Sequence, residues 1–323
     1  MRPGRIIPIG AGILCVLALP GCGTSPRVAD LSSRLAISSG EDIADAEASS
    51  RSSPVQLTAF EAAKSRNTVR KLDELILFQP AKYPEGAWQP AGLEFEDVAL
   101  KSSDGTKLHA WFCPCENARA SVLFLHGNAG HLAHRAEFMK VLQKELNVAS
   151  LIVDYRGYGK SEGKPTIEGA IADVRAASRE LASRTDREEK DLIVWGRSLG
   201  GALAVQLAAQ TQPRGIIVQS SFSSLKEVAA EHFPKLAWMV GKDRLNSAET
   251  ITKFKGSLLQ CHGTNDRVIS FESGSRLFKA ANAPKRFLKL EGLGHNDPTP
   301  VSVILKVDEF IATLSGTPEA LVR

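Results

Sequence analysis

The stretch DLIVWGRSLGGALAVQLAAQ, residues 191–210, runs a strand pattern into a helix pattern with only Gly196-Arg197-Ser198-Leu199-Gly200 between them. Asp191 to Trp195 is rich in branched apolar residues, as a buried strand is. Ala202, Ala204, Leu207 and Ala208 share one face of a closely packed helix. A strand, a sharp corner and a helix push the corner side chain out of the sheet. The helix N-terminus beside it offers unpaired N–H groups to a developing negative charge. Side chains in place of the flanking glycines would collide with the adjoining strand and helix. Gly-x-Ser-x-Gly is a weak signal as a string; its place at this corner makes Ser198 a candidate nucleophile.

The same alternation extends outward from this corner. Strand patterns fall at 121–125, 148–153, 191–195, 215–219, 257–261 and 286–290. Helix-compatible segments lie at 132–145, 167–184, 199–210, 225–240, 272–280 and 299–314. This order predicts an α/β fold, a mostly parallel twisted sheet with helices on both faces. Ahead of it, LEFEDVALKSSDGTKLHAWF (residues 93–112) reads as a hairpin turning at Asp104-Gly105, which makes the first edge antiparallel. Residues 57–80 carry Leu72, Leu75 and Ile76 on one helical face, and Pro80 is expected to end that helix.

In such sheets the working residues sit at the C-terminal ends of the strands. Those ends carry His126-Gly127-Asn128-Ala129-Gly130, then DYRGYGKSEG from Asp154, then Ser198, then His262-Gly263-Thr264-Asn265-Asp266, then Gly292-Leu293-Gly294-His295. Over about 93–314 the chain resembles the α/β-hydrolases, above all the compact serine hydrolases that include α/β-hydrolase-domain lipases and protein depalmitoylases, and more distantly the prolyl-oligopeptidase-type peptidases. The resemblance implies a nucleophile–acid–base order along the chain, hence Ser198, Asp266 and His295. It also implies an oxyanion hole from the backbone N–H groups of Leu199 and Asn128. His262 has a strand-end place that suits bracing, and Asp154, Tyr155 and Arg156 are expected to brace their loop by an ion pair.

The implied activity is hydrolysis of carboxylic esters or thioesters through an acyl-enzyme. The alternatives are a peptidase of the prolyl-oligopeptidase type and a binding lipoprotein that has lost activity. The insertion at 220–252 is the small cap of the fold; its Phe222, Phe233 and Trp238 are candidate pocket residues, and its modest size predicts short to medium acyl groups. No cofactor is expected. His131 and His134 have no evident third ligand, so no metal site is predicted. GNAGH lacks the Gly-Lys-Ser/Thr of a phosphate loop.

The 323 residues carry a net charge of +4 without a long Lys/Arg run, which does not suggest a nucleic-acid partner. The expected partner is a small-molecule or acyl-bearing substrate. MRPGR followed by the apolar run Ile6–Leu19 is too short for a comfortable membrane span and reads as a signal peptide. Leu19-Pro20-Gly21-Cys22 resembles the lipobox of bacterial lipoproteins, which implies lipidation of Cys22 and a membrane-anchored, extracytoplasmic protein. The expected organisation is a signal peptide (1–21), a Ser/Ala-rich tether (22–56), a helical lead-in (57–92), the catalytic domain (93–316) and a short tail (317–323). Beyond Cys15 and Cys22 the cysteines are Cys113, Cys115 and Cys261, an odd number, so no complete disulfide framework is expected.

Overall fold

Strands buried on both faces have no polar side to show, and the central apolar runs of this chain behave accordingly. In the computed structural model, which describes residues 77–241 and 244–315, the elements begin with β1 (Gln79–Pro80), β2 (Glu96–Lys101), β3 (Lys107–Cys113), β4 (Ser121–Leu125) and β5 (Ala129–Gly130). A helical turn leads into α1 (Ala136–Lys140), followed by β6 (Ala149–Asp154), α2 (Ile167–Arg184), β7 (Ile193–Arg197), α3 (Leu199–Thr211) and β8 (Gly215–Gln219). Then come α4 (Leu225–His232), α5 (Ser247–Thr250), β9 (Ser257–Gly263), α6 (Phe271–Ala280), β10 (Lys285–Leu290) and α7 (Val301–Ser315).

Eight strands form one sheet in the order β10-β9-β8-β7-β4-β6-β3-β2. All neighbours pair in parallel except β2 with β3 and β3 with β6, so the hairpin makes the antiparallel edge. Its turn closes as the Asp104-Gly105 signal predicts: Gly105 has φ +85°, and the Asp104 carboxylate accepts from the Thr106 N–H at 3.1 Å.

Alternation divides the core between the two faces. Leu123, Leu125, Leu151, Val153, Val194, Ile216 and Val218 pack in one cluster with Val174 and Ala177 of α2 and Ala202 and Leu203 of α3. On the other face Phe124 and Trp195 meet Phe138 of α1, with ring centroids 4.6 and 4.9 Å from it. The small residues of α3, foreseen from the sequence, are buried along almost its whole length and let it lie close on the sheet.

Two expectations are corrected. The lead-in is not helical over its described part beyond Leu77: Gln79–Pro80 is a short strand pairing in parallel with Ala129–Gly130, and turns follow. A proline has no N–H to continue a helix, and here its neighbours find partners in β5 instead. The helix expected over 225–240 stops at His232, because Phe233 precedes Pro234 and leaves the helical region with φ −135° and ψ 61°. Only a helical turn at Ala237–Met239 resumes it. The signal peptide with Cys22, the tether, residues 57–76 and the tail lie outside the described residues.

Candidate active site

Between β7, which ends at Arg197, and α3, which begins at Leu199, one residue makes the whole reversal. Ser198 takes φ 56° and ψ −119°, in the left-handed half of the map that a side chain with a Cβ resists. The corner is pinned on both sides. Ser198 N–H donates to the Gln219 carbonyl at 2.8 Å, and its own carbonyl accepts from Gly201 N–H and Ser221 Oγ, each at 2.9 Å. Close approach explains the glycines: a Cβ on Gly196 would stand 2.1 Å from the Gly200 carbonyl oxygen, and one on Gly200 2.0 Å from that of Leu125.

The ends of β9 and β10 deliver the other two residues. His295 Nδ1 lies 2.7 Å from Asp266 Oδ2, and His295 Nε2 lies 3.0 Å from Ser198 Oγ. Burial pushes the Asp266 carboxyl up, but hydrogen bonds from His262 and His295 and the charge His295 can carry outweigh it and hold the group well below the usual carboxylate range. An ionised carboxylate only accepts, so Nδ1 carries the ring proton and Nε2 is left to accept from the serine hydroxyl. Asp266 Oδ1 is occupied by the N–H groups of Val268 and Ile269, at 2.9 and 2.8 Å. His262 Nε2 sits 3.0 Å from the Ile269 carbonyl and 3.4 Å from Asp266 Oδ2, a brace for the acid loop.

The histidine loop, Gly292-Leu293-Gly294-His295, is tied down. Gly292 N–H donates to Thr264 Oγ1, Asn265 N–H to the Leu293 carbonyl and Gly294 N–H to Asp297. Arg197 Nη2 donates to the carbonyls of His295 and Asp297 at 2.8 and 3.3 Å. Sequence reasoning passed over Arg197; a cation on the last residue of a buried strand was the available signal.

Leu199 opens α3, where an N–H has no partner in a preceding turn. The loop after β4 runs beside the serine: a Cβ on Gly127, the residue before Asn128, would fall 3.5 Å from Ser198 Cβ. The three expected pocket residues differ in exposure. Phe222 is buried in the core cluster, whereas Trp238 is 76% exposed and donates only to the nearby Lys235 carbonyl. A cleft of about 600 Å³ lies elsewhere, against α2, lined by Leu100, Glu168, Ile171 and Arg175 and not by Ser198, Asp266 or His295.

The expected ion-pair brace exists with different partners. Arg156 donates to Asp173 of α2 at 2.8 Å and to Asp104 of the hairpin turn at 2.7 Å, while Asp154 accepts from the Leu132 N–H at 2.7 Å. His131 and His134 stack on each other with centroids 3.9 Å apart. Among the described residues no group of three His, Cys, Asp or Glu side chains is arranged to hold a metal, and Cys113, Cys115 and Cys261 are unbridged.

Sheet order, strained corner and converging strand ends define a hydrolase of the α/β class. Comparison with known proteins agrees. A family model described as serine aminopeptidase, S33, matches residues 116–249. An uncharacterised protein of Mycobacterium tuberculosis is 37% identical over 71% of this chain and 81% of its own length. The human alpha/beta hydrolase domain-containing protein 17B is 34% identical over 65% of this chain and 73% of its own. In structure the chain is similar to an esterase of Pyrococcus furiosus, with TM-score 0.61 and 21% identity, over 73% of this chain and 98% of that one. The chain belongs to the α/β-hydrolase family.

Proposed function

We propose that this hydrolase cleaves carboxylic esters or thioesters through an acyl-enzyme, with Ser198 as nucleophile, His295 as general base and Asp266 as its carboxylate partner. The observation that carries this reading is the unbroken line from Ser198 Oγ to His295 Nε2 at 3.0 Å and from His295 Nδ1 to Asp266 at 2.7 Å, set at a strained corner. A serine hydroxyl is a weak nucleophile. Its attack on an acyl carbon requires the proton to leave as the bond forms, and Nε2 is within reach to take it. Asp266 holds the tautomer and stabilises the imidazolium. The protonated Nε2 then gives the proton to the departing alcohol or thiol, and a water repeats the sequence on the acyl-enzyme. The N–H groups of Leu199 and Asn128 supply the oxyanion hole; losing one such donor typically costs about 3 kcal/mol in the transition state.

Labelling of the intact protein by a fluorophosphonate tests the reading, since only an activated serine reacts; an unlabelled protein would point to a binding protein instead. The name of the matched family model favours a second reading, an aminopeptidase. Turnover of p-nitrophenyl esters and thioesters without turnover of aminoacyl anilides supports the first, and the reverse pattern the second.

We also propose that the protein is a lipoprotein anchored through Cys22 on the outer side of a bacterial membrane, acting on a small-molecule or acyl-bearing substrate. Support comes from the charged start, the apolar run and the cysteine directly after it. No helix among the described residues is long and apolar enough to cross a membrane. Mass spectrometry of the membrane-extracted protein should find diacylglycerol on an N-terminal Cys22; an unmodified N-terminus elsewhere would refute it.

A further inference from the structure

The loop after β4 is held by an uninterrupted row of donors. Tyr155 OH donates to the His126 carbonyl at 2.8 Å, and His126 Nδ1 to the Gly127 carbonyl at 2.8 Å. Tyr158 OH donates to the Asn128 carbonyl at 2.6 Å, and the Gln79 N–H reaches the same oxygen at 3.0 Å. Arg135 takes the Ala129 carbonyl at 2.8 Å, and the Ala81 N–H takes that of Gly130 at 3.2 Å. Five consecutive carbonyls, 126 to 130, are therefore satisfied from outside the strand that precedes them.

A peptide unit is planar, with its C=O and N–H opposed, so fixing a carbonyl fixes the N–H on the other side of the same plane. The Gly127 carbonyl sets the Asn128 N–H. The planes before and after it are set by Tyr155 and Tyr158. Both tyrosines are fully buried and belong to one motif, Asp154-Tyr155-Arg156-Gly157-Tyr158-Gly159, which contains two of the only three tyrosines in the chain. Burial keeps both hydroxyls protonated, hence donors, far above neutral pH. A buried tyrosine could serve the core through its ring alone, but a ring does not require that both hydroxyls end on carbonyls of one loop.

We infer that Tyr155 and Tyr158 are positioning residues that, with the Gln79–Ala81 segment, lock the loop so that the Asn128 N–H is preorganised for the oxyanion. The inference rests on the serine-hydrolase reading and gives a role to residues 79–81, which lie outside the catalytic domain expected from the sequence. Preorganisation acts on the transition state and not on substrate binding, so the two are separable.

The experiment compares wild type with Tyr158→Phe, which keeps the ring and leaves Gln79 on the Asn128 carbonyl. It measures kcat and KM for a p-nitrophenyl ester, the rate constant for fluorophosphonate labelling, and Tm. Ångström-scale misplacement of a reacting group costs up to about 100-fold, and Gln79 retains part of the hold, so a loss of about tenfold is expected in kcat and in the labelling rate, with KM within about twofold. Tyr155→Phe should show the same split and serves if Tyr158→Phe does not fold. Unchanged kcat and labelling rates in a folded variant, or a rise in KM alone, would overturn the inference while leaving the serine reading intact. Failure of the wild type to label would overturn both.

Discussion

Ser198 occupies a conformation that costs energy, and its neighbours hold it there. The left-handed φ, the glycines at 196 and 200 and the bond to the Gln219 carbonyl all serve to present one hydroxyl to one imidazole. Removing the hydroxyl alone should therefore leave the fold and abolish the chemistry. Ser198→Ala should retain less than about 1% of wild-type esterase activity, since loss of a triad member typically costs several powers of ten. Near-UV circular dichroism and Tm should match wild type. Substantial residual activity in the purified variant would move the nucleophile elsewhere.

At the scale of elements, the segment between β8 and β9 is the cover proposed for the serine. It consists of α4, a helical turn, and α5, with its apolar side chains divided between core and surface. Phe222, Leu225 and Ala237 are buried inward, while Trp238 faces solvent. Such a segment supplies little continuous wall for an acyl chain. A chain gains roughly 0.8 kcal/mol per CH₂ only where the methylenes are buried. Across p-nitrophenyl esters from acetate to palmitate, below the micelle concentration of any detergent, kcat/KM should rise over the first few carbons and then level off or fall. A steady rise to palmitate would require a long acyl tunnel and would refute the short-to-medium preference.

At the scale of the whole molecule, burial holds His126 and His131 neutral while hydrogen bonds keep Asp266 ionised, and both features act against the fold in acid. Burial, reinforced by the charge of Arg135, pushes His126 down to about 3; burial and the charge of His134 push His131 down to about 4. An unfolded chain binds protons on these residues from about pH 6.5 downward, while the folded chain does not, so stability falls from there toward pH 4. Asp266 is depressed instead. Its contribution is complete above its ordinary value near 3.8 and is lost as pH falls below that. Tm should thus be insensitive to these groups between pH 7 and 8, decline between about 6.5 and 4, and drop further below 4. A Tm that holds constant from pH 7 to 4 in thermal melts would show that the buried histidines take up protons without cost.

Periodicity by itself determined the sheet, because strands covered on both faces must be apolar throughout and helices packed on them must show one apolar stripe. The run at 121–125 and the helix at 167–184 coincide with β4 and α2 to the residue. The strand-end motifs likewise marked Ser198, Asp266 and His295, which the fold brings within hydrogen-bonding distance although 97 residues separate the first from the last. What local pattern could not carry was contact between distant segments. The pairing of Gln79–Pro80 with Ala129–Gly130 is made by backbone groups, which every residue possesses, so no side-chain signal announces it. The two tyrosine hydroxyls and the Arg197 guanidinium find carbonyl partners for the same reason only once the strands are in register. Burial of Phe222 and exposure of Trp238 were decided by packing: a stripe of apolar side chains names a face, and tertiary structure decides what that face meets.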